Sequence, residues 1–294
     1  MGHTIMDRMT FARASVARAR PWWAAVRLGW AIESNWTDPF VFMTYQIVRP
    51  LFGALILVVM FKVVAGRLVG ETMFAQIYVG NAFFIFVVQM IGGLGLVVIE
   101  DRERYEMIRY VYLSPLGLGT YLVARAAGRF AATMVSILVT LAVGTWLFGI
   151  SYNLTLAQVP QFIAILILGM VAALALGIML AGATLVLAHH GWSMPDGVTG
   201  VLYLFCGVVF SIDILPAPLV AIGRILPWTW WLEGLRRALL GSPFIKSLAG
   251  ATDGQVLLWL VVTTGMMVLL AGAVLRGAER LAVATGKLDQ RTDH

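Results

Sequence analysis

The side chains able to do ionic chemistry gather in one stretch. Residues 100–115 read Glu-Asp-Arg-Glu-Arg-Tyr-Glu-Met-Ile-Arg-Tyr-Val-Tyr-Leu-Ser-Pro, and six of the first seven are charged in a chain that is only 12% charged overall. The chemistry open to Glu100, Asp101, Arg102, Glu103, Arg104, Glu106 and Arg109 is ion pairing and charge-assisted hydrogen bonding. One charge at a bilayer centre costs roughly 3 kcal/mol even on a lenient scale. The stretch is therefore expected to stay in water while the apolar segments on both sides of it enter a membrane. Glu103, Arg104, Glu106 and Arg109 recur at helical spacing, and Ser114-Pro115 ends the pattern. Two readings follow: a short charged helix at the membrane surface that docks on a soluble partner, or a solvated loop that only sets topology.

Other chemistry is sparse. Catalytic and metal sites are not expected, because no Cys/His cluster has metal-ligand spacing and Cys206 is the single cysteine, set in an apolar run. His189-His190 are adjacent, so on a helix they would point about 100° apart and make a poor metal pair. No Gly-x-x-x-x-Gly-Lys-Ser/Thr sequence occurs, so the chain has no phosphate-cradling loop of that kind and no bound cofactor is expected. The net charge of +6 comes from arginines spread along juxtamembrane positions. That distribution suits anionic lipid and argues against nucleic acid.

The elements that must position these residues are long and apolar. The 294 residues are 60% hydrophobic with a mean hydropathy of +0.88. That predicts an all-α polytopic membrane protein. Residues 1–38 read as an arm without a signal peptide's apolar core, followed by an amphipathic helix over about 21–37. Its face is Trp22, Val26 and Trp30, and it is expected to lie in the interface plane. Six spans are expected, at about 39–62, 74–99, 120–148, 159–188, 196–211 and 255–275. Arg49 lies inside the first, where an ionisable residue suggests function or a snorkelling contact. Gly92, Gly93 and Gly95 suggest a close contact or bend late in the second. Gly169, Ala173, Gly177 and Ala181 give the fourth a small-residue face.

Residues 212–241 are too short and too proline-broken to cross, and read as re-entrant or interfacial helices. The run Pro227-Trp228-Thr229-Trp230-Trp231 suits the headgroup belt. Lys and Arg number fourteen on the side holding both termini and the charged stretch and six on the other. That places both termini in the cytoplasm and the re-entrant region outside, with residues 277–294 as a cytoplasmic tail.

On these residues the chain resembles the permease subunit of an ABC-2 type exporter. Two places carry the resemblance: the stretch at 100–115 ending in Ser-Pro, and residues 205–241, with Pro216, Pro227, Trp228, Glu233, Arg236 and Gly241 in the pattern of the family's late signature. The resemblance implies that 39–276 is the six-span domain. It makes residues 100–113 a cytoplasmic coupling helix seated in a separate ATP-binding subunit, and the re-entrant hairpin an extracellular cap. It also implies pairing with a second permease, identical or homologous, with ATP and Mg²⁺ held by the partner subunits. The sequence Tyr105-Glu106-Met107-Ile108-Arg109-Tyr110 departs from the Thr- or Leu-rich core common in the family.

The implied activity is ATP-driven export of an amphipathic or hydrophobic cargo (drug, lipid or glycan) across a bacterial or archaeal inner membrane. The chain itself would not be an enzyme. Gln46, Arg49, Phe83, Phe84, Phe86 and Gln89 are candidates for the cargo path, with core packing as the alternative for the phenylalanines. Glu233 and Arg236, three apart on one helix face, are open to a plain ion-pair reading. Two other classes remain as alternatives. An ion-coupled secondary transporter would need ionisable residues near mid-membrane and a repeated half, whereas spans two, four and six have no internal charge. An enzyme acting on lipid-linked sugars would need acidic residues less dispersed than Asp213, Glu233 and Asp253.

Overall fold

The computed structural model describes residues 22–32, 71–114, 117–187 and 193–286, with isolated helical positions at 48, 52, 53, 55, 56 and 59. The arm at 1–20, most of the expected first span with Gln46 and Arg49, Pro115, the His189-His190 turn and the tail from 287 lie outside the described residues.

The described regular elements are all helical. α1 covers 22–32, α2 Glu71–Ile99, α3 Ile108–Leu113, α4 Leu118–Phe148, α5 Val159–Val186, α6 Met194–Phe205, α7 Ala217–Ile225, α8 Pro227–Leu240 and α9 Asp253–Ala284. Four stretches are long and apolar enough to cross a membrane: Thr72–Arg104, Leu118–Phe148, Leu156–Val186 and Asp253–Ala284. They coincide with the expected second, third, fourth and sixth spans.

Local sequence sets the boundaries. Gly149 ends α4 in the left-handed region (φ 68°), and its N–H donates to Thr145 O at 3.1 Å while Ile150 N–H donates to Gly144 O at 3.2 Å. This is a glycine-terminated helix end, whose conformation costs a residue without Cβ little. Capping boxes start the next two long helices: Thr155 with Gln158 before α5 and Thr252 with Gln255 before α9.

α2 is the central helix. It packs on α4, α5, α6 and α8, whereas α9 rests on α5 and α8. Since lipid offers no hydrophobic drive for helix association, shape fit has to hold these contacts. The small-residue face of α5 provides it: Gly169, Ala173, Gly177 and Ala181 are all buried. A Cβ on Gly169 would overlap the Trp231 indole, and one on Gly177 would lie 2.8 Å from Leu94 Cβ. Late in α2, Gly93 leaves the notch into which Arg129 of α4 reaches.

Two expectations change. The fifth apolar run is helical only to Phe205, not to 211, because Gly207 turns the chain at φ 69°. The 12 residues of α6 reach about 18 Å, short of a hydrocarbon core of about 30 Å. The N-terminal helix is turned differently from its expected apolar face. Ala25 and Gly29 are buried, while Trp30 is exposed. The cause is a backbone crossing: a Cβ on Gly29 would lie 2.9 Å from Arg125 O, and one on Gly128 3.0 Å from the Trp30 backbone.

Candidate functional site

The charged stretch lies at one end of the bundle, where α2 gives way to α4. The expected continuous helix over 100–113 is broken. Glu100–Arg104 form a π-helical turn, with Tyr105 N–H donating to Glu100 O at 3.0 Å and Met107 N–H to Asp101 O at 2.8 Å. Glu106 then takes φ 51°, and only Ile108–Leu113 resume an α-helix. A non-glycine residue in the left-handed region cannot continue a right-handed helix, which is the physical cause of the break.

Nor does the whole stretch stay in water. Asp101 is 1% exposed and Arg102 is 4% exposed. The Tyr121 hydroxyl donates to Asp101 Oδ2 at 2.7 Å, and Arg125 Nη2 lies 3.4 Å from Oδ1. Both partners come from α4, so the carboxylate ties the end of α2 to the start of α4. Arg125 also approaches Glu100 at 3.9 Å. Neither Arg125 nor Tyr121 is among the site residues expected from the sequence. The signal was the four-residue spacing from Tyr121, which sets both on one helix face.

The outward surface of the segment mixes charge and apolar groups. Arg104 and Glu106 are exposed, with the Arg104 guanidinium 5.5 Å from the Tyr105 ring centre. Tyr110 is 66% exposed and Leu113 82%. Glu103 is half-buried, 3.6 Å from Arg102. Arg109 is on α3. Behind this face the Tyr112 hydroxyl is buried, and its pKa is pushed up to about 12 by that burial and by the nearby Glu279 carboxylate.

At the opposite end of the bundle, α8 carries the second set of predicted residues. Pro216 precedes α7, and Pro227 opens α8, where a missing N–H costs nothing. Trp228, Glu233 and Arg236 are fully buried. The expected ion pair between Glu233 and Arg236 is replaced by two separate clamps. Arg236 donates from Nε to Gln76 O at 2.9 Å, from Nη1 to Gly207 O at 2.9 Å and from Nη2 to Val208 O at 2.7 Å. It also stacks 4.1 Å from the Phe244 ring centre. The guanidinium thus joins the start of α2 to the turn after α6, and a Cβ on Gly80 would overlap it.

Glu233 pairs instead with Arg237, whose Nε lies 2.9 Å from Oε1, and Oε2 accepts the N–H groups of Phe244 and Ile245. Arg237 then donates to Leu248 O and Ala251 O, both at 2.6 Å. A four-residue step returns to the same helix face better than a three-residue step with a guanidinium drawn to another element. A double-mutant cycle on thermal unfolding in detergent is expected to give about 1–3 kcal/mol of coupling for Glu233→Gln with Arg237→Met. For Glu233→Gln with Arg236→Met a smaller coupling is expected, because these two buried charges attract through space and share Phe244 without a direct ion pair. The reverse order would mean that the motif pair interacts directly.

α8 also holds α7 in place. The Thr229 hydroxyl donates to Gly223 O at 2.6 Å, and Trp230 Nε1 donates to Arg224 O at 2.7 Å. In the connection before α7, burial alone would raise the Asp213 pKa. Hydrogen bonds from Ser247 and Ser211 more than offset that and hold the carboxylate below its usual range.

The three phenylalanines are interior. Phe83 meets Phe162 and Trp231, Phe84 meets Tyr203, and Phe86 meets Phe130 and Trp231, in edge-to-face or tilted pairs. Gln89 is half-buried. Among the described residues no group of three or more His, Cys, Asp or Glu side chains is placed to hold a metal ion.

Four long apolar helices, of which α2 is the most buried, with ion pairs of the described residues gathered at the two ends of the bundle, define a multi-pass α-helical membrane protein. A scan of protein families matches the ABC-2 type transporter over residues 20–240, and the chain belongs to that family. It is a permease subunit, with no nucleotide-binding domain within these 294 residues. A comparison with curated proteins gave no match.

Proposed function

We propose that this chain is the transmembrane half of an ATP-driven exporter of amphipathic or hydrophobic cargo. The observation that carries the reading is the segment between α2 and α4. It offers an exposed face of Arg104, Tyr105, Glu106, Tyr110 and Leu113, braced from behind by Asp101, Tyr121 and Arg125. A face held this firmly can transmit a push, whereas a solvated loop would dissipate it. Its partner is a soluble ATP-binding subunit that holds ATP and Mg²⁺. Domain closure on ATP shifts the permease between inward- and outward-open arrangements through its differential affinity for the two. Glu103, Arg104, Glu106 and Arg109 supply the ionic part of the contact.

The fuller architecture follows from charge. Six passes, the fifth made by the short α6 together with the non-helical chain that follows Phe205, put both termini and α3 in the cytoplasm of a bacterial or archaeal cell and satisfy the Lys/Arg asymmetry. α7 and α8, nine and 14 residues long, then form a re-entrant cap on the outer side. A second permease, identical or homologous, completes the path. Gln46, Arg49 and Gln89 are candidates for its lining, and Phe83, Phe84 and Phe86 reach it only if α2 parts from the helices that cover them, α4, α5, α6 and α8.

The reading is tested by affinity purification in mild detergent beside the triple variant Glu103→Ala, Arg104→Ala, Glu106→Ala. An ATP-binding subunit is expected with the parent and is expected to be lost from the variant. Recovery of the folded parent without any ATPase, across several detergents, would end it.

A further inference from the structure

Arg102 is a buried cation at this end to which the fold supplies no hydrogen bond. It is 4% exposed, and none of its three guanidinium nitrogens has a hydrogen-bond partner. Its nearest opposite charge is Glu103 at 3.6 Å, whose Oε1 is itself without a hydrogen bond. Asp101, one residue earlier, has both the Tyr121 hydroxyl and Arg125. A buried cation this poorly compensated is stable only while its surroundings over-determine it.

The backbone around it is irregular in two further ways. The turn that contains Arg102 is π-helical, so it carries more residues than an α-helical turn over the same rise. Two residues after the turn, Glu106 is the one non-glycine residue with positive φ among the described residues. Both are costs that an α-helical continuation of α2 would not bear. Three unfavourable features thus coincide within seven residues, directly before the exposed face of α3.

The geometry points to a register switch in the Glu100–Arg104 turn. In the state described, the turn is π-helical and Arg102 is stored inside. In the second state Tyr105 N–H moves its hydrogen bond from Glu100 O to Asp101 O, and the turn becomes α-helical. Glu106 leaves the left-handed region, and the residues from Tyr105 through α3 are advanced by one helical position, about 100° around the axis and 1.5 Å along it. Arg102 leaves its buried place for the aqueous surface, and α3 rotates against α4. Asp101 stays fixed by Tyr121 and Arg125 and serves as the pivot. The switch needs only this chain, while its use in relaying ATP-driven motion rests on the function proposed above.

The test uses the full chain in lipid nanodiscs with Cys206→Ala and spin labels at two exposed positions, Leu113 on α3 and Leu138 on α4. Two distance populations are expected in this parent. Arg102→Met removes the uncompensated charge and keeps the bulk, so it is expected to lower the second population about tenfold and to raise the thermal midpoint. Glu106→Gly, which adopts the left-handed backbone without penalty, is expected to shift the balance the same way. Arg102→Lys keeps the charge and is expected to keep both populations. If Arg102→Met fails to fold, Glu106→Gly carries the test. A single distance distribution in the parent, unmoved by Glu106→Gly, would overturn the switch. Because the distances are read without any ATP-binding partner, absence of that partner leaves this result untouched. A failed switch, in turn, leaves partner capture at the α3 face unaffected.

Discussion

Replacing Arg236 by leucine is expected to remove most of the folded protein. The guanidinium is fully buried and holds three carbonyls on two elements: Gln76 in α2, and Gly207 and Val208 in the turn after α6. The Gln76 carbonyl lies in a helix and keeps a backbone partner. Those of Gly207 and Val208 lie outside helices and lose theirs. Each buried, unsatisfied carbonyl costs about 1–3 kcal/mol, and the lost tie between α2 and α6 adds to this, for about 3–5 kcal/mol in all. Total stability of a domain is about 5–15 kcal/mol, so such a loss is decisive. Arg236→Lys is not expected to rescue it, because one ammonium cannot reproduce a planar fork aimed at three acceptors. Gly80→Val is expected to fail similarly, since its Cβ position is already taken by the guanidinium. The measurement is monodispersity and thermal unfolding of each purified variant; a midpoint within a few degrees of the parent for Arg236→Leu would refute the clamp.

The second large effect is expected at the other end of the bundle. Asp101→Ala leaves Arg125 buried without its near carboxylate and strips the Tyr121 hydroxyl of its acceptor. Breaking a buried pair by removing one partner costs about 3–5 kcal/mol, because the surviving charge is left uncompensated. Replacing the whole group by apolar residues of similar size, as in Asp101→Leu with Tyr121→Phe and Arg125→Met, is expected to recover most of that stability. It is not expected to recover transport, because the end of α2 is then no longer pinned to α4. Thermal unfolding of the single and triple variants checks the first part. A triple variant less stable than Asp101→Ala would show that the pair is stabilising in itself.

The long elements were legible in the sequence because hydropathy and length are local properties. Four of the six expected spans coincide with long apolar helices, and the break at 149–158 was marked by Gly149 and by the Thr155 and Gln158 of a capping box. The small-residue face of α5 was legible for the same reason, since a four-residue step repeats along one side of a helix. What the pattern could not contain was the choice of partner. Glu233 is three residues from Arg236 and four from Arg237, and spacing alone does not say that backbone carbonyls from α2 and the α6–α7 turn claim the first arginine. Likewise, charge density at 100–106 correctly marked the end of a span but suggested uniform exposure. Burial of Asp101 depends on Tyr121 and Arg125, which are twenty or more residues away. The turn at Glu106 was invisible because glutamate carries no preference for the left-handed region.

The central claim, that the face between α2 and α4 seats a soluble ATP-binding subunit, is tested most directly by a photo-reactive residue at Tyr110 in membranes of the native host. Tyr110 is 66% exposed on α3, and Trp146, 86% exposed near the far end of α4, serves as the control position. Irradiation is expected to join position 110 to a protein that carries Gly-x-x-x-x-Gly-Lys-Ser/Thr, and position 146 to no such protein. Adducts at 110 with lipid alone, in chains that remain folded, would contradict the account and return the segment to a loop that merely sets topology.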